Sequence, residues 1–149
     1  LLARLAVALG GRAAEKLIFG EYSTGAQNDL KQDMALAEKM VCQWGMSEKI
    51  GPLSFDRGEE HPFLGLKLAT EKTFSEKTAW IIDQEIEKLV HIAQECAELV
   101  LAENRDVLEA LAESLFEEET LDEERLKAFF QDRTLQLPDK ARAALYASA

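Results

Sequence analysis

The sequence predicts an all-α fold, a helical bundle of about five helices with one long central helix. Three observations lead there. Apolar residues recur every three to four positions along most of the chain. No alternation of period two survives beyond a few residues. Three capping-box signatures (Thr24 with Gln27, Thr73 with Glu76, Thr120 with Glu123) mark helix starts.

In chain order, Leu2, Leu5, Leu9, Ala13, Leu17 and Ile18 predict a first helix that Gly20 ends. Gly10 and Gly11 weaken its middle and suit a close helix–helix approach. A second helix begins near Gly25, with Leu30, Met34, Leu36, Ala37, Met40, Val41 and Trp44 inward, and stops at Gly45. Residues 50–72 hold two prolines and three glycines and read as an irregular connector, with a short extended piece over Pro52–Phe55. The long helix follows Thr73. Phe74, Thr78, Ile81, Ile82, Ile86, Leu89, Ala93, Cys96, Val100 and Leu101 share one face, giving a rod of about 45 Å. Asn104 caps a fourth helix with Val107, Leu108, Leu111, Leu115 and Phe116 inward. The last helix buries Leu121, Leu126, Phe129 and Phe130. Residues 1–131 are expected to form one folded portion, and 132–149, broken by Pro138, a weak terminal helix or frayed tail.

With 149 residues, 47% of them hydrophobic and 30% charged, the chain suits one globular domain. Its formal net charge of -11 leaves no basic stripe for phosphate backbones, so nucleic acid is not an expected partner. No apolar run is long enough to cross a bilayer. The chain does not begin with Met and is expected to be an excised piece of a larger protein, whose other parts would carry any membrane anchor. Cys42 and Cys96 lie in apolar helical patterns without a partner at metal-ligand spacing and read as buried free thiols.

Complete catalytic sets are absent from the sequence. It has no phosphate-binding G-x-x-x-x-G-K-[ST], no H-E-x-x-H, and only His61 and His91 to serve a hydrolytic triad. The acidic runs at 117–120 and 122–124 lack the spacing of a calcium loop and read as acids favoured at a helix N-terminus. Asp29 stands apart. By itself it is an ordinary acid in the first turn of a helix. Its setting, after "STGA" and before several apolar turns, together with Glu15 in the apolar "AAEKLIF", suggests two acids with a shared polar partner. A carboxylate serves zinc as a third ligand beside two histidines.

The stretch "LLARLAVALGGRAAEKLIFGEYSTGAQNDL" resembles the proteolytic domain of FtsH-type AAA+ zinc metalloproteases, through the signature "GGRAAE…FG…STGA-x-NDL". The resemblance continues through "AEKMVCQWGMSEKIGPLSF", "FLG", "FSEKTAWIIDQEI" and "LVLAENRDVLEALAESLFEEETLDEERL", covering about residues 1–130. The chain departs from the family's usual residues at Gln32, Asp33, Glu38 and Leu66, and keeps Glu15 and Asp29.

The resemblance implies an ATP-dependent zinc metalloendopeptidase that degrades unfolded or misassembled polypeptides. It implies a homo-hexameric ring held at the cytoplasmic face of the inner membrane by an N-terminal part outside this chain. Zinc is the implied cofactor of the protease, with ATP and Mg in an AAA+ module that is also outside. Asp29 corresponds to the third zinc ligand, and Glu15 to an acid that supports a zinc-binding histidine. Without H-E-x-x-H, the piece is expected to be inactive alone. The alternative is a non-catalytic helical scaffold or oligomerisation module of a pseudoprotease.

Overall fold

The computed structural model describes residues 1–23, 25, 27–55 and 74–146, with the side chains of residues 27–29 outside the description. Among the described residues there are seven α-helices and no strand: α1 (Leu2–Ala8), α2 (Gly10–Phe19), α3 (Gln27–Cys42), α4 (Glu76–Glu103), α5 (Arg105–Glu118), α6 (Glu123–Gln131) and α7 (Asp139–Tyr146). The fold is all-α, as the periodicity predicts. At 28 residues, α4 is the long helix, about 42 Å from end to end. No described helix is long and apolar enough to cross a membrane. The chain divides into two compact units, Leu1–Ala26 with Ala93–Ala149, and Gln27–Ile92.

In the first unit, the predicted opening helix is two. Leu9 separates α1 from α2, yet the ladder is nearly continuous, because Leu9 N–H donates to Leu5 O and Ala13 N–H to Leu9 O, each at 3.0 Å. One buried stripe of Leu2, Leu5, Leu9 and Ala13 therefore runs through the break. Gly10 and Gly11 do not mark a close approach, since a Cβ on either would meet no heavy atom within 4 Å. The same core takes Ala93, Cys96 and Ala97 from α4 and Ala141 from α7.

Asn104 occupies the N-cap position of α5 but does not cap it with its side chain. The buried amide instead donates to Val100 O at 2.7 Å and to Gln136 O at 2.8 Å, and accepts from Gln136 N–H at 2.7 Å. The last helices are less buried than their patterns predict. Leu115 and Phe116 are exposed, and α6 has no fully buried residue. Its N-cap is Asp122, which accepts from Arg125 N–H at 2.9 Å, in place of the predicted Thr120.

In the second unit, α3 begins at Gln27, and the predicted cap residue Thr24 lies outside the described residues. The buried face of α3 carries Asp33, Ala37, Met40 and Val41. Met34 does not point inward. It opens on a groove of about 750 Å³ lined by Leu30, Ala35, Ile86 and Val90. Trp44 is likewise exposed. Past α3, Gly45 adopts φ 63°, and a Cβ there would stand 3.2 Å from Pro52 Cα, so this turn requires glycine. Phe55 N–H closes the loop onto Cys42 O at 2.8 Å, at the end of the stretch Pro52–Phe55. The rest of the predicted connector and the cap residue Thr73 lie outside the described residues. The cap that α4 shows is Ser75, whose Oγ accepts from Thr78 N–H at 3.2 Å.

A buried acid ties this loop to α4. Glu85 Oε2 accepts from Ser47 Oγ at 2.9 Å, and Lys49 Nζ stands 3.0 Å from Oε1. Ser47 Oγ in turn accepts from Ile50 N–H at 3.2 Å. Burial alone would raise the Glu85 pKa, but the bonds from Lys49 and Ser47 and the nearby Lys88 outweigh it and hold the carboxyl below its ordinary value.

Candidate metal-ligand segment

Of the two acids singled out in the sequence, Glu15 sits at mid-helix in α2, half-buried, and Asp29 lies in the first turn of α3. The Asp29 side chain is outside the described residues.

Around Glu15 the geometry is explicit. Its Oε1 accepts from Ser23 Oγ at 2.6 Å and its Oε2 from Ser23 N–H at 3.0 Å. Ser23 Oγ accepts in turn from Gly25 N–H at 3.1 Å. These bonds, the Ser23 hydroxyl first, hold the Glu15 carboxyl below its ordinary pKa, with a smaller contribution from Arg12. Helix α2 can present these groups because it ends cleanly. Gly20 takes the left-handed conformation, φ 76°, and its N–H closes on Lys16 O at 3.0 Å. The chain then folds back along the helix, where the Arg12 guanidinium lies 3.6 Å from the Tyr22 ring centroid. Glu15 and Lys16 stand three and four positions after Arg12, so each neighbours it on the surface of α2. Lys16 carries the face on to α4 through an ion pair with Glu98 at 2.9 Å. The bond to Glu98 is the largest cause raising the Lys16 pKa, and bonds from Lys16 and Gln94 lower that of Glu98.

Sequence reasoning singled out Glu15 but not Ser23, Tyr22 or Arg12. The signal for them was present in the helical spacing of Arg12, Glu15 and Lys16 and in a Tyr-Ser pair just past a helix-ending glycine.

Zinc takes carboxylate beside imidazole, so Asp29 is a donor of the right chemistry. His91, the one histidine among the described residues, is exposed on α4 and pairs with Glu87 at 3.6 Å. Among the described residues no group of three His, Cys, Asp or Glu side chains could hold a metal ion. The described side chains therefore form no whole zinc site, and the Asp29 carboxylate, a donor of the right chemistry, lies outside them.

The profile of peptidase family M41 matches residues 1–129. The chain belongs to this family. Its relatives include the ATP-dependent zinc metalloprotease FtsH of Syntrophotalea carbinolica, 57% identical over 96% of this chain and 22% of that protein. The protein of the same name from Pelobacter propionicus is 63% identical over 83% of this chain and 20% of its own length. That of Nitrosococcus oceani is 50% identical over 89% and 21%. This M41 chain thus spans about a fifth of the length of the curated relatives it matches.

Proposed function

We propose that this chain is part of an ATP-dependent zinc metalloendopeptidase acting on unfolded or misassembled polypeptides, with Asp29 as its third zinc ligand. The observation that carries the reading is the M41 match over residues 1–129, which contains "STGAQNDL" with Asp29 in the first turn of α3. The named activity of the relatives, ATP-dependent zinc metalloprotease, supports it.

Zinc, when bound, polarises the scissile carbonyl and the attacking water. The chain's own residues have simpler tasks. Asp29 contributes a negatively charged oxygen donor, and Glu15 supports a zinc-binding histidine. The two imidazoles and the general base belong to an H-E-x-x-H helix outside this chain. ATP and Mg belong to a module also outside it, as does the anchor that would hold a hexameric ring at the cytoplasmic face of the inner membrane.

The test is Asp29→Ala in the zinc-loaded protein that carries this chain. Bound zinc and cleavage of a casein-like substrate should both be lost. The 149-residue chain alone, given zinc, should cleave nothing. An Asp29→Ala protein that keeps both zinc and activity sinks the reading, and so does robust zinc-dependent cleavage by the isolated chain.

A further inference from the structure

We propose that the groove between α3 and α4 binds a cationic amphipathic helix of another polypeptide, through an apolar floor and a rim of carboxylates. The proposal does not rest on the zinc reading.

The groove is lined wholly by residues of the second unit and measures about 750 Å³. Its floor is apolar. Leu30 and Met34 stand one turn apart on α3, and Ile86 and Val90 one turn apart on α4. Ile86 is buried, so the floor belongs to the core of the unit, whereas Met34 is 52% exposed at the mouth. An exposed apolar groove of this kind marks a surface that meets a partner. Methionine, unbranched and polarisable, shapes itself to many apolar side chains and suits a surface that takes varied sequences.

The rim gives the partner its sign. Glu38 on α3 and Asp83 and Glu87 on α4 set three carboxylates around the floor against one lysine, Lys31. His91, also at the rim, stands 3.6 Å from Glu87. The local excess of acid agrees with the formal net charge of -11 and draws cations. A second copy offering the same face would set carboxylates against carboxylates, and an anionic lipid surface would be repelled in the same way.

The lining runs from residue 30 to 38 and from 83 to 91, about 12 Å along each helix. A helix that docks by anchors at i, i+4 and i+7 needs about 10.5 Å between the first and the last. Floor, rim and length are satisfied together by a helix with aliphatic anchors on one face and Lys or Arg beside them.

The experiment uses the protein that carries this chain, with zinc chelated so that the probe stays intact. The probe is a fluorescent synthetic amphipathic helix of Leu, Ala and Lys, and its binding is read by anisotropy. Met34→Gln should bind it about ten-fold more weakly with unchanged melting, since Met34 is exposed. Asp83→Asn combined with Glu87→Gln should weaken binding at low salt and flatten its salt dependence. A probe with Glu in place of Lys should bind at least ten-fold more weakly than the Lys probe. Wild-type affinity in Met34→Gln overturns the proposal, as does equal binding of the Lys and Glu probes. A wild-type protein that binds no probe overturns it too. If Met34→Gln then also sediments as a smaller assembly, the groove belongs to a second copy instead.

Discussion

Acids that resemble solvated surface charge in the sequence divide sharply once folded. Asp33 and Glu85 are 2% and 5% exposed, while the acids flanking Glu85 on α4, Asp83 and Glu87, are exposed. Nothing in the helical pattern separates them, since a charged residue on the apolar side of a helix is equally consistent with a frayed stripe. The partner decides it, and Ser47 and Lys49 lie 38 and 36 positions away from Glu85. Asp29 is the opposite case, because its proposed role was legible from the residues around it while its side-chain geometry was not.

For Glu85 the pH consequence follows from direction. Its folded pKa lies below the ordinary 4.5, so the ionised form is the one folding favours. That contribution is fully present above pH 4.5 and is lost as the pH falls through the folded value. Glu85→Gln should therefore cost about 1–2 kcal/mol at pH 7, the loss expected of buried hydrogen bonds to a charge. Urea unfolding at pH 7 and pH 3.5 checks this. The gap between wild type and variant should narrow at the lower pH, and a gap that widens contradicts the assignment.

Helix ends were harder to read than helix middles. The stripe that defines α4 stands where apolar spacing puts it, with Ile82, Ile86, Ala93 and Cys96 buried, because burial repeats over several turns and tolerates an error at any one. A cap is a single hydrogen bond, and Ser, Thr, Asp and Asn compete for it within a few residues. Ser75 caps α4, and Asp122 takes α6 from Thr120 two positions earlier. Replacing either Ser75 or Asp122 with Ala should destabilise by about 1 kcal/mol, whereas Thr120→Ala should be nearly neutral. Thermal melts of the three variants decide between the two caps of α6. Glycines separate in the same way. Gly11→Ala fills open space inside a helix and should stabilise by about 0.5–1 kcal/mol. Gly45→Ala places a Cβ at positive φ beside Pro52 and should destabilise by at least 1 kcal/mol. A destabilised Gly11→Ala would show that this surface is covered in the assembled protein.

Across the whole chain, the first compact unit joins residues from both termini, a pairing that no local pattern announces. Helical periodicity reports which face of an element is apolar and is silent about which distant element covers it. The stretch after Gln131, faint as a sequence signal, supplies Ala141, fully buried, and Gln136, which satisfies the buried Asn104 amide from 32 positions away. Lys140 adds an ion pair to Glu95, and the Cys96 thiol lies 4.0 Å from Ala141 O. Removing residues 132–149 would strip two of the three Asn104 hydrogen bonds and uncover this part of the core. At about 1 kcal/mol per bond, together with the lost apolar burial, the cost should be about 2–4 kcal/mol. Amide exchange in the protein that carries this chain locates the effect. Protection should fall from Ala93 to Leu108 and persist in α3. Asn104→Ala should cost about 1–3 kcal/mol in the intact protein and clearly less once 132–149 is gone, because the two changes remove the same bonds. Independent, additive losses would mean that the C-terminal segment does not act on the bundle through Asn104.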